Sequence, residues 1–557
     1  MAIGLFAAMA GAILSPAQAA PPAAHFAVAT EHSLATEAAA EILRAGGNAV
    51  DAAVAASLAI AVVNPSSAGL GGGGFMLIYQ RSEGRAHAID YRERAPLGAT
   101  PDLYARRGQL NPRLSKRGGL AVGVPGEPAG LALASRRYGR LPLARVAEPA
   151  IRLAAEGFAV GPHLAREIAR HRDELATVPE LAQVFLDANG KPLAAGSRMV
   201  RPALAETLAR FAAEGAAPFY EGDIAADIVT AVREQGGVMT AKDLAEYRPV
   251  ERLPVVTSYR RWRVLGMPPP SSGGGVVAEA LQVLAAYRLS DLGFGSPTYL
   301  HLLAETLKAV FADRARYYGD ADFTQVPLIR LLSAEHAAAI RARLRASAAT
   351  PARQWGSLEA GADAGTSHIS VVDAQGNAVA CTSSINTAFG SMVAVPGRGI
   401  VLNNTMDDFS LRPGVPNVYG LVGSHANAIA GGKRPLSSMA PTIVLQGNDA
   451  RLVLGASGGP RIISATLQVL LGVLDFGMDV EEAVRAPRIH HQWLPDRLAV
   501  EASLDPNVTA SLARRGHQIV PLEDGAAVQA VELVSTAGGR MLRAAADPRK
   551  GGSALVE

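Results

Sequence analysis

The sequence predicts an α+β fold of stacked helical and sheet layers, and three observations carry that reading. Helical periodicity dominates the chain before residue 366, the texture turns strand-rich after it, and a long apolar helix, RIISATLQVLLGVLDFG, follows those strands. At 557 residues the chain could hold two or more average domains or one large unit. Its 49% apolar and 18% charged content is that of a packed globular protein. A net charge of +3 is small for this length and gives no reason to expect a nucleic-acid or membrane-surface partner.

The chain opens on a short apolar run, MAIGLFAAMAGAILSPAQAA, that ends in small residues, with Ala17-Gln18-Ala19 fitting an A-x-A cleavage site. Residues 1–19 are expected to be a secretory signal peptide, which places the mature protein outside the cytoplasm or in the periplasm. Pro16, Pro21 and Pro22 cut the run off, and it is too short to span a bilayer comfortably. The single cysteine, Cys381, excludes an intrachain disulfide and is expected to pack as a small hydrophobe.

Two helices are predicted next, the first ending at Gly46-Gly47 and the second, almost uncharged, starting near Asp51. The second is buried core. The glycine run at Gly69 and Gly71–Gly74 enters a strand and carries no lysine, so close backbone packing is expected rather than a phosphate loop. From Leu141 to Leu344 the pattern is mostly amphipathic helix, interrupted by MPPPSSGGG at Met267–Gly275. A loose polar stretch, SAATPARQWGSLEAGADAG, then reads as an exposed linker open to being severed.

Gly365-Thr366 closes that linker and opens a predicted β-hairpin: HISVV, a turn at Asp373–Asn377, and AVACTSSI. If the bond before Thr366 is cut, one residue supplies both nucleophile and base. Its hydroxyl attacks, and its new α-amine, with a pKa of roughly 7.7–8.0, accepts the proton near neutrality. Glycine before the cut tolerates the strain of an N-to-O acyl shift. The hairpin register can return Ser384 and Asn386 beside Thr366, LNNTMDDFS places Asp407-Asp408 in a loop, and KRPLSSMAPT supplies Ser437-Ser438. Gly458-Gly459 stand at a helix start, where backbone N–H groups point outward and can form an oxyanion hole.

These strings, taken in order with EHSLATEAAAEILRAGGNAVDAAVA, GLGGGGFML, YRERAP, GVPGEPAGL, TSHISVVDAQGNAV, PNVYGLVG, SGGPRII and APRIHHQWLPD, closely resemble the γ-glutamyltranspeptidase family. The resemblance implies an N-terminal-nucleophile (Ntn) hydrolase fold, a four-layer α/β/β/α sandwich. It also implies one large domain formed by two autoprocessed subunits, residues 20–365 and 366–557. Carried onto this chain, it makes Thr366 the nucleophile and puts Ser384 where the family has a supporting threonine. It gives Arg92 the α-carboxylate of a glutamyl group and Asp408 the α-ammonium. Asn386, Ser437 and Ser438 would hold the glutamyl head, Gly458 and Gly459 the oxyanion, and Tyr419 would close a lid. Thr405 departs from the family's usual Gln or Glu, a side chain that helps bind the α-amino group.

The physics fits this assignment. A glutamyl head is a zwitterion, so its pocket needs a cation and an anion, and arginine grips a carboxylate bidentately. Fixing the head positions the γ-carbonyl at the other end of the side chain for attack. The expected substrates are glutathione and other γ-glutamyl compounds, with water or the amine of an amino acid or peptide as acceptor and no cofactor. His490-His491 lack a metal-ligand set and read as structural, so no metal is expected. His368 projects to the face of Thr366, as support rather than as base. Asp407 reads as a structural neighbour of Asp408. Two alternatives remain: an acylase for glutaryl groups or poly-γ-glutamate on the same scaffold, and an unprocessed protein that only binds γ-glutamyl peptides.

Overall fold

The structure is a computed structural model that describes residues 25–106, 108–356, 366–412, 414–523, 525–536 and 539–557. The leader at 1–19 and Gly365 lie outside the described residues. The strands of the two large sheets are β1 (Ala27–Thr30), β2 (Gly73–Gln80), β3 (Arg85–Tyr91), β4 (Val250–Arg252), β5 (Val255–Tyr259), β6 (Trp262–Gly266) and β7 (Ser367–Val372). They continue with β8 (Ala378–Ser384), β9 (Thr442–Gln446), β10 (Asp449–Ser457), β11 (Ala527–Thr536), β12 (Gly539–Ala546) and β13 (Ser553–Val556). A seven-stranded sheet runs β13-β1-β7-β8-β2-β3-β4 and a six-stranded sheet β12-β11-β10-β9-β6-β5. Every pairing in both is antiparallel.

The two sheets pack face to face through Phe75, Leu77, Val372, Ala380, Ile443, Val453 and Val531, all buried. The alternate residues of the same strands, such as Met76, Ile369, Val371 and Val379, point the other way into a helical layer. That layer holds α1 (Ser33–Arg44), α2 (Ala49–Val63) and α3 (Leu143–Glu156). The opposite layer, on the six-stranded sheet, holds α4 (Gly273–Leu284), α5 (Pro297–Tyr317), α6 (Ala334–Arg341), α7 (Arg461–Leu474) and α8 (Val480–Arg485). The expected α/β/β/α order is therefore present. No helix among the described residues is long and apolar enough to cross a membrane.

Each residue of α2 is buried, as its uncharged sequence predicts. It begins two residues earlier than the sequence reading, because Asn48 caps the backbone N–H groups of Val50 and Asp51 while the Asp51 carboxylate accepts from Asn48 N at 2.9 Å. Cys381 is fully buried on β8 beneath this helix, and burial pushes its thiol up to about 11, so it is a packing residue.

The glycine run behaves as expected. A Cβ on Gly71, Gly72 or Gly74 would stand 2.1, 2.2 or 2.2 Å from a carbonyl oxygen of Val401, Ser384 or Thr382. These contacts let the chain pass directly under the end of β8, where Ser384 sits. The sequence reading of residues 141–344 as mostly helix missed β4, β5 and β6. They are short and interrupted by turns, so no helix-length period betrays them.

Candidate active site

β7 pairs with β8 in a register that sets Ser367 opposite Ser383, so Thr366 at the strand entry faces Ser384 at the strand exit. Their hydroxyl oxygens are 3.2 Å apart and both residues are buried. Ser384 Oγ also accepts the backbone N–H of Asn386 at 2.8 Å, which fixes the hydroxyl. Asn386 has φ +78°, a left-handed conformation that turns the chain away from the strand and into the pocket wall. A small cavity next to Thr366 is lined by Arg92, Ser384, Asn386, Asp408, Tyr419, Ser437, Ser438, Met439, Gly459 and Ile462.

Arg92, just past the end of β3, is 1% exposed. Its guanidinium donates to Asp408, to Glu93 Oε2 at 3.3 Å and to Pro435 O at 3.3 Å. Two buried carboxylates thus face one guanidinium. Burial pushes the Asp408 carboxyl up to about 6 and that of Glu93 to about 7, against the pull of Arg92. Asp408 Oδ1 accepts from Asn417 at 3.2 Å. A zwitterion entering here would replace the internal Arg92–Asp408 pair with two pairs to itself, so the desolvated charges never lose their partners.

Tyr419 lines the cavity, its hydroxyl donating to Asn386 O at 2.8 Å and to the Asn386 side-chain oxygen. The Asn386 amide donates to Asn404 O at 3.0 Å. Ser437 is held at the backbone, donating to Pro270 O at 2.8 Å, while its Oγ accepts from Met439 N at 3.1 Å. Ser438 Oγ accepts from Arg314 at 3.0 Å. Gly458 and Gly459, with φ +130° and +56°, form the turn between β10 and α7, a conformation that L side chains adopt only with strain. Gly459 borders the small cavity, and Gly458 a wider cleft of about 500 Å³ on the other side of Thr366.

Thr405 is placed apart from the rest. It is fully buried in the short helix Thr405–Asp408, its hydroxyl donates to Asn403 at 2.7 Å, and it does not line the cavity. Asp407 accepts from Ser115 and from Val418 N at 2.6 Å, which braces the loop that carries Asp408. His368 lies between the sheets against Gly455, with Nδ1 2.7 Å from Thr382 Oγ1, and burial lowers it to about 3, so it stays neutral. His490 and His491 are spent on Ser464, Gln492 and Asp496.

Sequence reasoning missed a clamp around Thr366. Lys550 Nζ donates to the Thr366 carbonyl at 2.5 Å and to Ser457 Oγ at 3.2 Å, and pairs with Glu31 at 2.8 Å. Glu31 in turn accepts from Ser367 Oγ and His368 N at 3.1 and 3.3 Å. One cation therefore ties the start of β7 to the residue before the Gly458-Gly459 turn. Neither Lys550 nor Glu31 carries a local motif; only the pairing of β1 with both β7 and β13 brings them together. Lys550→Met is expected to lower kcat roughly 10- to 100-fold with a smaller change in KM, because Thr366 and the Gly458-Gly459 turn lose their shared anchor. Steady-state kinetics with a chromogenic amide checks the split.

Paired antiparallel sheets between helical layers, with a buried threonine entering a central strand at a pocket, define an Ntn-hydrolase architecture. The sequence profile described as gamma-glutamyltranspeptidase matches residues 35–557. The glutathione hydrolase proenzyme of Escherichia coli (strain K12) is 42% identical over 525 residues, covering 94% of this chain and 90% of that protein. The crystal structure of a cephalosporin acylase from Bacillus halodurans superimposes with a TM-score of 0.84 at 29% identity, covering 98% of this chain and 99% of that one. That of the Helicobacter pylori γ-glutamyltranspeptidase gives 0.57 at 37% identity over 59% of this chain and 96% of that chain. The chain belongs to the γ-glutamyltranspeptidase family.

Proposed function

We propose that this protein is a self-processing γ-glutamyl hydrolase and transferase acting on glutathione and related γ-glutamyl compounds. The observation that carries the reading is the placement of the Thr366 hydroxyl on the same cavity as the Arg92–Asp408 pair. In the proenzyme, Thr366 Oγ attacks the carbonyl carbon of residue 365, the C–N bond to Thr366 breaks as its nitrogen takes a proton and becomes the free α-amine, and water then hydrolyses the ester to release the Thr366 hydroxyl and the carboxylate of residue 365. The large subunit is then 20–365 and the small subunit 366–557, and the leader 1–19 directs export.

In turnover, Arg92 takes the substrate α-carboxylate and Asp408 its α-ammonium, with Asn386, Ser437 and Ser438 completing the head site. Thr366 Oγ attacks the γ-carbonyl carbon while the α-amine accepts the proton, and Ser384 orients the hydroxyl. The Gly458 and Gly459 N–H groups receive the tetrahedral oxyanion. Collapse expels the amine leaving group with that proton and leaves a γ-glutamyl ester, which water or an acceptor amine then resolves. All of these groups are protein groups.

A second reading, a glutaryl-type acylase, draws support from the likeness to the cephalosporin acylase and from Thr405 standing back from the cavity. Asp408 opposes it, since a glutaryl group has no ammonium to pair with that carboxylate. The deciding experiment compares hydrolysis of a γ-glutamyl anilide with that of a glutaryl anilide. The γ-glutamyl compound is expected to be preferred by at least 100-fold; equal or inverted preference overturns the reading.

A further inference from the structure

We propose that Glu279, Asp313 and His336 form a divalent-metal site, of the zinc class, in the helical layer outside the six-stranded sheet. The three residues come from α4, α5 and α6, and one ligand atom of each lies within 4.8 Å of the others. His336 Nε2 is 3.2 Å from Glu279 Oε1 and 2.9 Å from Asp313 Oδ2. Ligands on a tetrahedral zinc ion, at bonds of about 2.0–2.2 Å, stand about 3.4 Å apart, so an ion fits after an opening of a few tenths of an ångström.

The internal hydrogen bonds leave this cluster incomplete, which argues for a ligand. The Glu279 side chain is fully buried, and its Oε2 finds no donor among the described residues. One imidazole N–H shared between two carboxylates cannot satisfy that oxygen. Nor can one imidazolium balance two carboxylates, whereas a dication with neutral histidine does so in full. Burial, with the Glu279 and Asp313 carboxylates nearby, holds the Tyr318 hydroxyl, which has no partner among the described residues, well above the usual phenol range. Asp313 and His336 keep side-chain exposures of 20% and 15%, which leaves a solvent route and room for a water as fourth ligand. Ser333 caps the helix of His336 at 3.1 Å and fixes that ligand's helix start.

The site bears on the pocket through one helical step. Arg314, next to Asp313, donates to Ser272 Oγ at 2.8 Å and to Ser438 Oγ at 3.0 Å. An ion that holds Asp313 therefore stiffens the turn of α5 that supports the pocket serines.

The test uses full-length protein stripped with a chelator and titrated with zinc chloride alone by calorimetry, with bound metal counted by elemental analysis. One equivalent per chain is expected, with a rise in melting temperature, and roughly 100-fold weaker binding in both Glu279→Gln and His336→Gln. Glu279→Gln keeps the buried shape, and His336→Gln changes a partly exposed residue, so loss of folding in one leaves the other to report. Absence of saturable uptake by the wild-type protein identifies the cluster as an ion-pair network and overturns the proposal. Uptake that survives both substitutions also overturns it.

Discussion

Thr366→Ala is expected to yield one uncut polypeptide with no measurable turnover, a loss on the order of 10⁵–10⁶-fold, the scale seen when a covalent nucleophile is removed. The same hydroxyl would open the peptide bond and later the substrate amide, so both events disappear together. Denaturing electrophoresis reads the first and hydrolysis of a γ-glutamyl anilide the second. Thr366→Ser restores the comparison, since it keeps the hydroxyl 3.2 Å from Ser384 while removing the methyl group. It is expected to cut and turn over, more slowly. Two normal fragments from Thr366→Ala, or an active uncut chain, would refute the mechanism, and sequencing the amino terminus of the smaller fragment would locate the cut.

Asp408→Asn is expected to lower kcat/KM by about 2–5 kcal/mol, roughly 30- to several-thousand-fold, mainly through KM. The substrate ammonium would then enter a buried site with no anion to meet it, while Arg92 still pairs with Glu93 and keeps the fold. The pH profile carries a second signature. Burial and the neighbouring Asp407 raise the Asp408 carboxyl to about 6 against the attraction of Arg92. Wild-type kcat/KM already falls with pH as the Thr366 α-amine takes up a proton, and protonation of the raised Asp408 carboxyl steepens that fall on the acid side of about 6. The asparagine variant does not titrate there and keeps only the shallower limb of the α-amine. A profile unchanged by the substitution would remove Asp408 from the binding role.

Much of this site was legible from local sequence because its parts lie at ends of elements. Thr366 and Ser384 bracket a hairpin whose turn, Asp373–Asn377, is written in Asp, Gly and Asn. Once the hairpin is granted, the register brings the two hydroxyls together. Gly458-Gly459-Pro460 marks the start of a helix by itself, and Arg92 and Asp408 became legible through the family resemblance. Lys550 and Glu31 stayed invisible because their meeting depends on β13 and β7 flanking β1, a long-range pairing that no local pattern encodes. The same holds for Glu279, Asp313 and His336, each an ordinary residue of an amphipathic helix until the helices pack. Thr405 shows a limit of carrying roles by position: its hydroxyl bonds Asn403, and its side chain does not line the small cavity beside Thr366.

The order of strands in the seven-stranded sheet has a further consequence. β1 of the first segment lies between β13 and β7 of the second, and β8 of the second lies against β2 of the first. Severing the backbone before Thr366 would leave two polypeptides woven through one another like the fingers of clasped hands. In that sheet neither piece keeps its strands together, although the second holds four neighbouring strands, β12-β11-β10-β9, of the six-stranded sheet, so they are not subunits that simply dock. If the chain is divided there, it is therefore expected to be synthesised as a single length and folded first, and the pieces made apart should aggregate rather than reassemble.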